Sequence, residues 1–268
     1  MRAGGKRFAL ALGLLLVLWA GVAYWLAPSL WRHYERQRGL EGRPMLTTTA
    51  TGAPGDPINV GLEGEDGDID CAMRAAGWRP ADPVRFGTSV HIALSVVARR
   101  AYPTAPVSPL FYEGRRQDLA YEKAAAQSPS RRHHVRFWRA LAAGDFGAPV
   151  WLGAATFDRS VGLSHRTGEI THHIAADVDA ERDLLAADLA QGGHVAATYQ
   201  ISGVGPTLNG RNGGGDRYFT DGEVLVARLR PGCAADAAPP EALAPPVATQ
   251  ARTRVFGWIA NLLRKRDP

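Results

Sequence analysis

The chain has 268 residues, room for one ordinary domain with extensions, and its 46% apolar content is that of a globular protein. The formal net charge is +5, but the excess sits in the tails: residues 1–45 carry seven basic and two acidic side chains, and residues 234–268 carry five and three. The slightly acidic middle argues against a basic nucleic-acid-binding domain, and no helix-turn-helix, zinc-finger, nucleotide or flavin motif is present.

Phe8 to Leu26 contains no charge in 19 residues. As a helix it spans roughly 29 Å, close to the thickness of a bilayer core. Arg2, Lys6 and Arg7 precede it, and Trp19, Tyr24, Trp25 and Trp31 crowd its far end as an interfacial belt. A signal peptide cleaved after Ala23 is the competing reading, given the small residues Gly21-Val22-Ala23. The length of the run and the aromatics beyond Ala23 favour an uncleaved anchor. The expected organisation is an anchor with basic flank over residues 1–31, a linker over 32–56, the main domain over 57–232, an Ala/Pro-rich linker over 233–250, and a basic amphipathic helix over 251–268.

Within the main domain, Pro57 to Leu62 reads as a short strand and Asp68 to Ala76 as a helix stopped by Gly77, with Trp78 beyond it. Ser89 to Arg99 is a second helix, with Ile92, Val96 and Val97 on one side. Leu110–Glu113 and Asp118–Lys123 flank Gly114-Arg115-Arg116-Gln117 as a hairpin. His133–Arg139 and Val150–Asp158 are strands. Asp177 to Gln191 is a helix with Asp177 or Asp179 as cap and Gly192-Gly193 as stop. Val195–Ile201 and Glu223–Leu229 are the closing strands. Helices packed on mostly antiparallel strands predict an α+β layered domain. Cys71 and Cys233, near the two ends of this domain, would pair in an oxidising compartment and tie its termini together; two unpaired thiols are the other reading. At the C-terminus, Thr253 to Arg266 places Val255, Phe256, Ile259, Leu262 and Leu263 on one helical face. That pattern suits a helix lying in a membrane interface, or one docked on the protein's own core.

Five of the eight histidines, His133, His134, His165, His172 and His173, fall between Arg131 and Asp183, among arginines and carboxylates. These are the groups from which metal, anion and acid–base sites are built. On paired strands, alternation puts His134, Arg136 and Trp138 on one face, with Leu152, Ala154, Thr156 and Asp158 sharing a face of the next strand, so that His134 or Arg136 would meet Asp158.

The segments PINVGL, AAGWRPAD, APVSPLFYEGRRQDLAYEK, RRHHVRFWRA, VWLGAATFDRSVGLSH, HHIAADVDAERD and FTDGEVLVARL, in this order from about Ile58 to Leu229, resemble the bacterial LssY C-terminal-like domain family. The resemblance implies an envelope location, behind a membrane anchor or beside modules similar to type-2 phosphatidic-acid phosphatases, and so a membrane phosphatase as a partner. It points weakly to lipid or phosphate chemistry and carries over no catalytic residue.

Three readings of the histidine-rich segment follow. In the first, His134, His173 and Asp158 ligate zinc or iron, with Glu181 as base or fourth ligand, although no HExxH or cysteine-pair signature is present. In the second, Arg136, Arg159 and Arg182 clamp an anion, and a histidine serves as nucleophile or acid. Arg159 and His165 have the spacing of one phosphatidic-acid-phosphatase motif, but its PSGH-like companion is missing. In the third, the same residues form structural networks in a non-catalytic ligand-binding or assembly module, with Asp158–Arg and Asp183–Arg pairs. The Gly-rich stretch Asn209 to Asp216 lacks the GxxxxGK[ST] pattern and reads as a flexible loop able to cover a pocket; Thr220-Asp221-Gly222 reads as a turn, with Asp221 a minor site residue. The whole describes a single-pass protein of a bacterial inner membrane with its main domain in the periplasm, acting as a hydrolase on a phosphorylated or lipid-linked envelope molecule or binding such a molecule without turnover.

Overall fold

The computed structural model describes residues 2–26, 39–40, 42–81, 109–125, 131–166, 168, 170–202, 209–244, 247, 250 and 254. The expected helix at Ser89–Arg99 lies outside these residues, as does the C-terminal helix apart from Arg254. Helix α1 (Arg2–Gly21) runs into a π-helical turn at Val22–Leu26. Gly5–Leu26 is long and apolar enough to cross a membrane, a property that signal sequences share. Its side chains from Phe8 to Trp19 are exposed, as a lipid-facing helix requires.

The body, Gln37–Ala244, is a compact unit of its own. Its centre is a mixed, mostly antiparallel nine-stranded sheet. The strands are β3 (Val60–Glu63), β4 (Arg79–Pro80), β7 (Leu119–Ala124), β8 (Arg132–Leu141), β9 (Val150–Leu163), β10 (Ile170–Ile174), β11 (Val195–Ser202), β14 (Glu223–Leu229) and β15 (Glu241–Ala242). Their order is β15-β11-β14-β3-β9-β8-β7-β4, with β10 also on β9. Helices α2 (Asp66–Ala75) and α3 (Val178–Gln191) give the domain its α+β character.

Period-two alternation builds two cores from the same strands. On the helix side, Val135 and Phe137 of β8 join Ile69 and Met73 of α2, Leu185 and Leu189 of α3, and the buried Trp78 and Trp151. On the other side, Trp138, Leu152, Tyr199, Val224 and Val226 pack with Ile58, Leu110 and Tyr112. There a small sheet, β2 (Pro54–Pro57), β1 (Leu46–Thr48), β5 (Phe111–Tyr112) and β6 (Arg115–Arg116), forms in the order β2-β1-β5-β6.

Strand β9 is long enough to take two partners on one side. β3 pairs with its residues 150–153 and β10 with residues 158–163. The buried Asn59 side chain fills the interval: its Oδ1 accepts the Ala155 N–H at 2.9 Å, and its Nδ2 donates to Ala155 O at 3.0 Å and Val178 O at 2.7 Å. One side chain thus does the work of a missing strand and fixes the start of α3.

Helix α2 ends where expected, with Gly77 at φ +82°. Asp177 caps α3, its Oδ1 accepting the Ala180 N–H at 3.1 Å. The expected hairpin is corrected. Phe111–Tyr112 pairs with Arg115–Arg116 across Glu113-Gly114, while Leu119–Ala124 leaves the hairpin to pair with β8. The strand expected at 57–62 is interrupted by Ile58 and Asn59 and resumes as β3. Parts of the two stretches expected as linkers are strands: β1 and β2 lie in the first, and β15 in the second pairs in parallel with β11. Cys71 and Cys233 form a disulfide with a Cα–Cα distance of 5.9 Å, joining α2 to the chain just after β14. The Gly-rich stretch is a hairpin of β12 (Asn209–Arg211) and β13 (Arg217–Phe219) rather than a loop without structure.

Candidate functional site

The ladder β7–β8–β9 builds a charged row. Arg132 lies opposite Asp158 and Ala124, His134 opposite Thr156 and Glu122, and Arg136 opposite Ala154 and Ala120. A bulge between β9 and β10, where Ile174 faces Asp158 but His173 faces Ser160, brings His172 onto the same face. Arg132, His134, Arg136, Asp158 and His172 line a cavity of about 340 Å³ together with Asp56 of β2 and Asn212 of the β12–β13 hairpin. That volume suits a small molecule or head group.

The floor of the cavity is a buried ion network. Arg132 donates from Nε to Asp158 Oδ2 at 3.2 Å and from Nη1 to Glu122 Oε2 at 3.1 Å, and its Nη2 lies 3.4 Å from His172 Nε2. His134 Nδ1 and His172 Nδ1 approach the same Asp158 oxygen at 3.3 and 4.0 Å. The His134 approach is close but not aligned as a hydrogen bond; among the described residues neither His134 Nδ1 nor Asp158 Oδ1 has a hydrogen-bond partner. His134 Nε2 is hydrogen-bonded to the Thr156 hydroxyl. Arg136 donates from Nη1 to Asp56 Oδ2 at 3.3 Å, and Asp56 Oδ1 accepts from Asn212 Nδ2 at 3.3 Å.

These contacts set the protonation states. Burial works to raise Asp158, but His134, His172 and Arg132 hold its carboxyl well below the usual carboxylate range. Burial, with Arg132 and the other cations nearby, lowers His172 to about 4 against the opposing pull of Asp158. It is therefore neutral at pH 7, with a quarter of its side chain exposed toward the cavity. Burial also lowers Arg136, opposed by Asp56 and Asp158.

The residues expected from the sequence as a metal set and an anion clamp are distributed over several places. His134 and Asp158 come together, but His173 does not join them. As the neighbour of His172 on a strand it points away, and its Nδ1 pairs with Asp216 Oδ1 at 2.8 Å. The expected zinc set of His134, His173 and Asp158 is thus not assembled, and Arg132 already occupies the approach to Asp158 Oδ2, where a divalent ion would meet its positive charge. Glu181 lies on α3, bound to His133 Nδ1 at 2.9 Å. Of the expected anion clamp only Arg136 lines the cavity. Arg159 is exposed, and Arg182 is held by Asp183, Asp221 and Asp179 at 2.8, 2.9 and 3.4 Å. Burial works to lower Arg182, but the hydrogen bonds it donates to Asp221 and Asp183 raise it. Asp221 therefore belongs to this structural cluster.

Sequence reasoning missed Arg132, His172, Glu122 and Asp56 as members of the cavity floor. Arg132 and Glu122 are recoverable from strand alternation once the β7–β8–β9 register is known; His172 depends on the bulge between β9 and β10, and Asp56 carries no local signal, because it lies in a Thr/Gly/Pro stretch that reads as linker.

No curated protein and no solved structure matches the chain. The family model described as LssY C-terminus matches residues 39–224, a span that contains the small sheet, both core helices and every residue of the cavity floor. With more than half of its length matched in this way, the chain belongs to the LssY C-terminus family.

Proposed function

We propose that this is a membrane-anchored envelope protein whose domain faces the periplasm, where it binds a small phosphorylated or lipid-linked molecule in the cavity and hydrolyses it. One observation carries the catalytic part of the reading: a neutral, partly exposed His172 sits between an ionised Asp158 and the Arg132 guanidinium on the cavity floor. A neutral histidine can take a proton from water, with the Asp158 carboxylate 4.0 Å away to stabilise the imidazolium that forms, and a neighbouring guanidinium can hold the anion that water attacks. Arg136, buried nearby and oriented by Asp56, supplies a second cation to the same floor. The apolar helix Gly5–Leu26 fits the anchor, and the Cys71–Cys233 disulfide favours an oxidising compartment for the body.

The test is phosphate release by the full chain in detergent from a panel of phosphomonoesters and phosphorylated lipid head groups. Hydrolysis falling about 100-fold or more in His172→Asn, with binding retained, is the expected result. Binding without turnover by any substrate would replace the hydrolase with a binding module. The absence of both binding and turnover would overturn the reading.

A further inference from the structure

We propose that His165, His173 and Asp216 form a divalent-metal site of the zinc type, apart from the Asp158 network. Three ligand atoms, one from each residue, lie within 4.8 Å of one another. Two imidazoles and a carboxylate with room for water are a donor set that zinc accepts. With metal–ligand bonds of ~2.0–2.1 Å, neighbouring ligand atoms of a tetrahedron stand about 3.3 Å apart. His173 Nδ1 and His165 Nε2 lie 2.8 and 3.7 Å from Asp216 Oδ1, on either side of that value. Small side-chain adjustments centre an ion among them.

The surrounding structure is arranged for this approach. Two of the ligands are buried and fixed: the side chains of His173 and Asp216 are 11% and 3% exposed, whereas that of His165 is 60% exposed. The exposed third ligand leaves a coordination position open to solvent. Asp216 is oriented by its neighbours, with Oδ2 accepting the Ile174 N–H at 3.2 Å and its own N–H donating to Asn212 Oδ1 at 3.0 Å. The turn carrying His165 is laced to the same hairpin by His165 N–H to Gly214 O at 2.9 Å.

Two glycines make room for the imidazoles. A Cβ on Gly162 would lie 2.6 Å from His173 Nε2, and one on Gly215, at φ +89°, would lie 2.8 Å from His165 Cβ. The Gly-rich stretch that matches no phosphate-binding pattern thus has a physical reason: it lets the hairpin deliver Asp216 between two histidines. By contrast, the cluster of Cys71, His194 and Cys233 has its two sulfurs tied in the disulfide and offers no thiolate pair.

The experiment measures metal content by mass spectrometry of the full chain, purified in detergent without a histidine tag or chelator, followed by zinc titration against a competing chromophoric chelator. One zinc per chain is expected. Affinity should fall about 100-fold or more in His165→Gln, an exposed position that leaves the fold intact, and in Asp216→Asn, while His134→Gln binds as wild type. No zinc above background after zinc is offered would overturn the proposal. So would zinc retained in His165→Gln and Asp216→Asn but lost in His134→Gln, which would move the metal to the Asp158 network. The readout is independent of turnover, so it separates this site from the hydrolase reading.

Discussion

On the helix side of the central sheet, His133 meets Glu181, and Arg182 is clamped by Asp179, Asp183 and Asp221. On the cavity side, one strand position further along, Arg132, His134, Asp158 and His172 build a similar cluster from the same residue types. The helix-side groups are covered by α3 or paired with acids at the body's surface. The cavity-side groups lie under about 340 Å³ of space, among them a buried Asp158 oxygen with no hydrogen-bond partner among the described residues. Composition does not separate these two clusters. What separates them is whether a helix covers that face of the sheet, and strand alternation decides which residue goes to which side.

The largest expected effect is at Arg132. Its side chain is 7% exposed, and Glu122 and Asp158 are 2% and 1% exposed. Arg132→Met leaves two buried carboxylates without their cation and should cost about 3–5 kcal/mol in urea unfolding, with ligand binding abolished. A loss below about 1 kcal/mol would mean that the network contributes little to the fold.

Arg182→Ala should cost less, about 1–3 kcal/mol, because Asp183 and Asp221 are 63% and 49% exposed and regain water. It should leave ligand binding unchanged. Impaired binding in this variant would erase the distinction between the two faces.

Acid should act on the cavity side in two stages. His172 has a folded value near 4 against an ordinary 6.5, so the unfolded chain binds the extra proton and stability falls as pH drops from about 6.5 to 4. Asp158, held below its ordinary 3.8, stabilises the fold above that pH and loses this contribution as the pH falls further. Thermal melts across pH should show both stages, and His172→Asn should remove the first and weaken the second, because His172 also helps to hold Asp158 low. An unchanged profile in that variant would show that His172 is not the titrating group.

The smallest effect belongs to a residue in neither cluster. Asp177→Ala removes the cap of α3 and should cost about 1 kcal/mol in the same unfolding assay. It should leave ligand binding untouched, which calibrates the larger losses.

Much of the fold was legible because it depends on local rules. The cap at Asp177, the stop at Gly77 and the long strands β8 and β9 follow from turn chemistry and period-two patterning. The site was legible only in part. Alternation predicted that His134 and Asp158 would share a face, and they do. The same rule, applied to His172 and His173, shows that only one of two adjacent histidines can join them. Here the bulge on β9 made the choice, and nothing in the local sequence marks it. Asp56 and Asp216 arrive from stretches that read as linker and loop, because contacts made across the sheet leave no periodic trace in the residues that make them.

The most direct measurement is calorimetric titration of the full chain in detergent with inorganic phosphate and glycerol phosphate, comparing wild type with folded Arg136→Gln and Arg159→Ala variants. The expected result is saturable, salt-sensitive binding that is lost when Arg136 on the cavity floor is replaced and is unchanged when the exposed Arg159 is replaced. Absence of binding in the wild type, or equal binding in Arg136→Gln, would contradict the cavity as the ligand site.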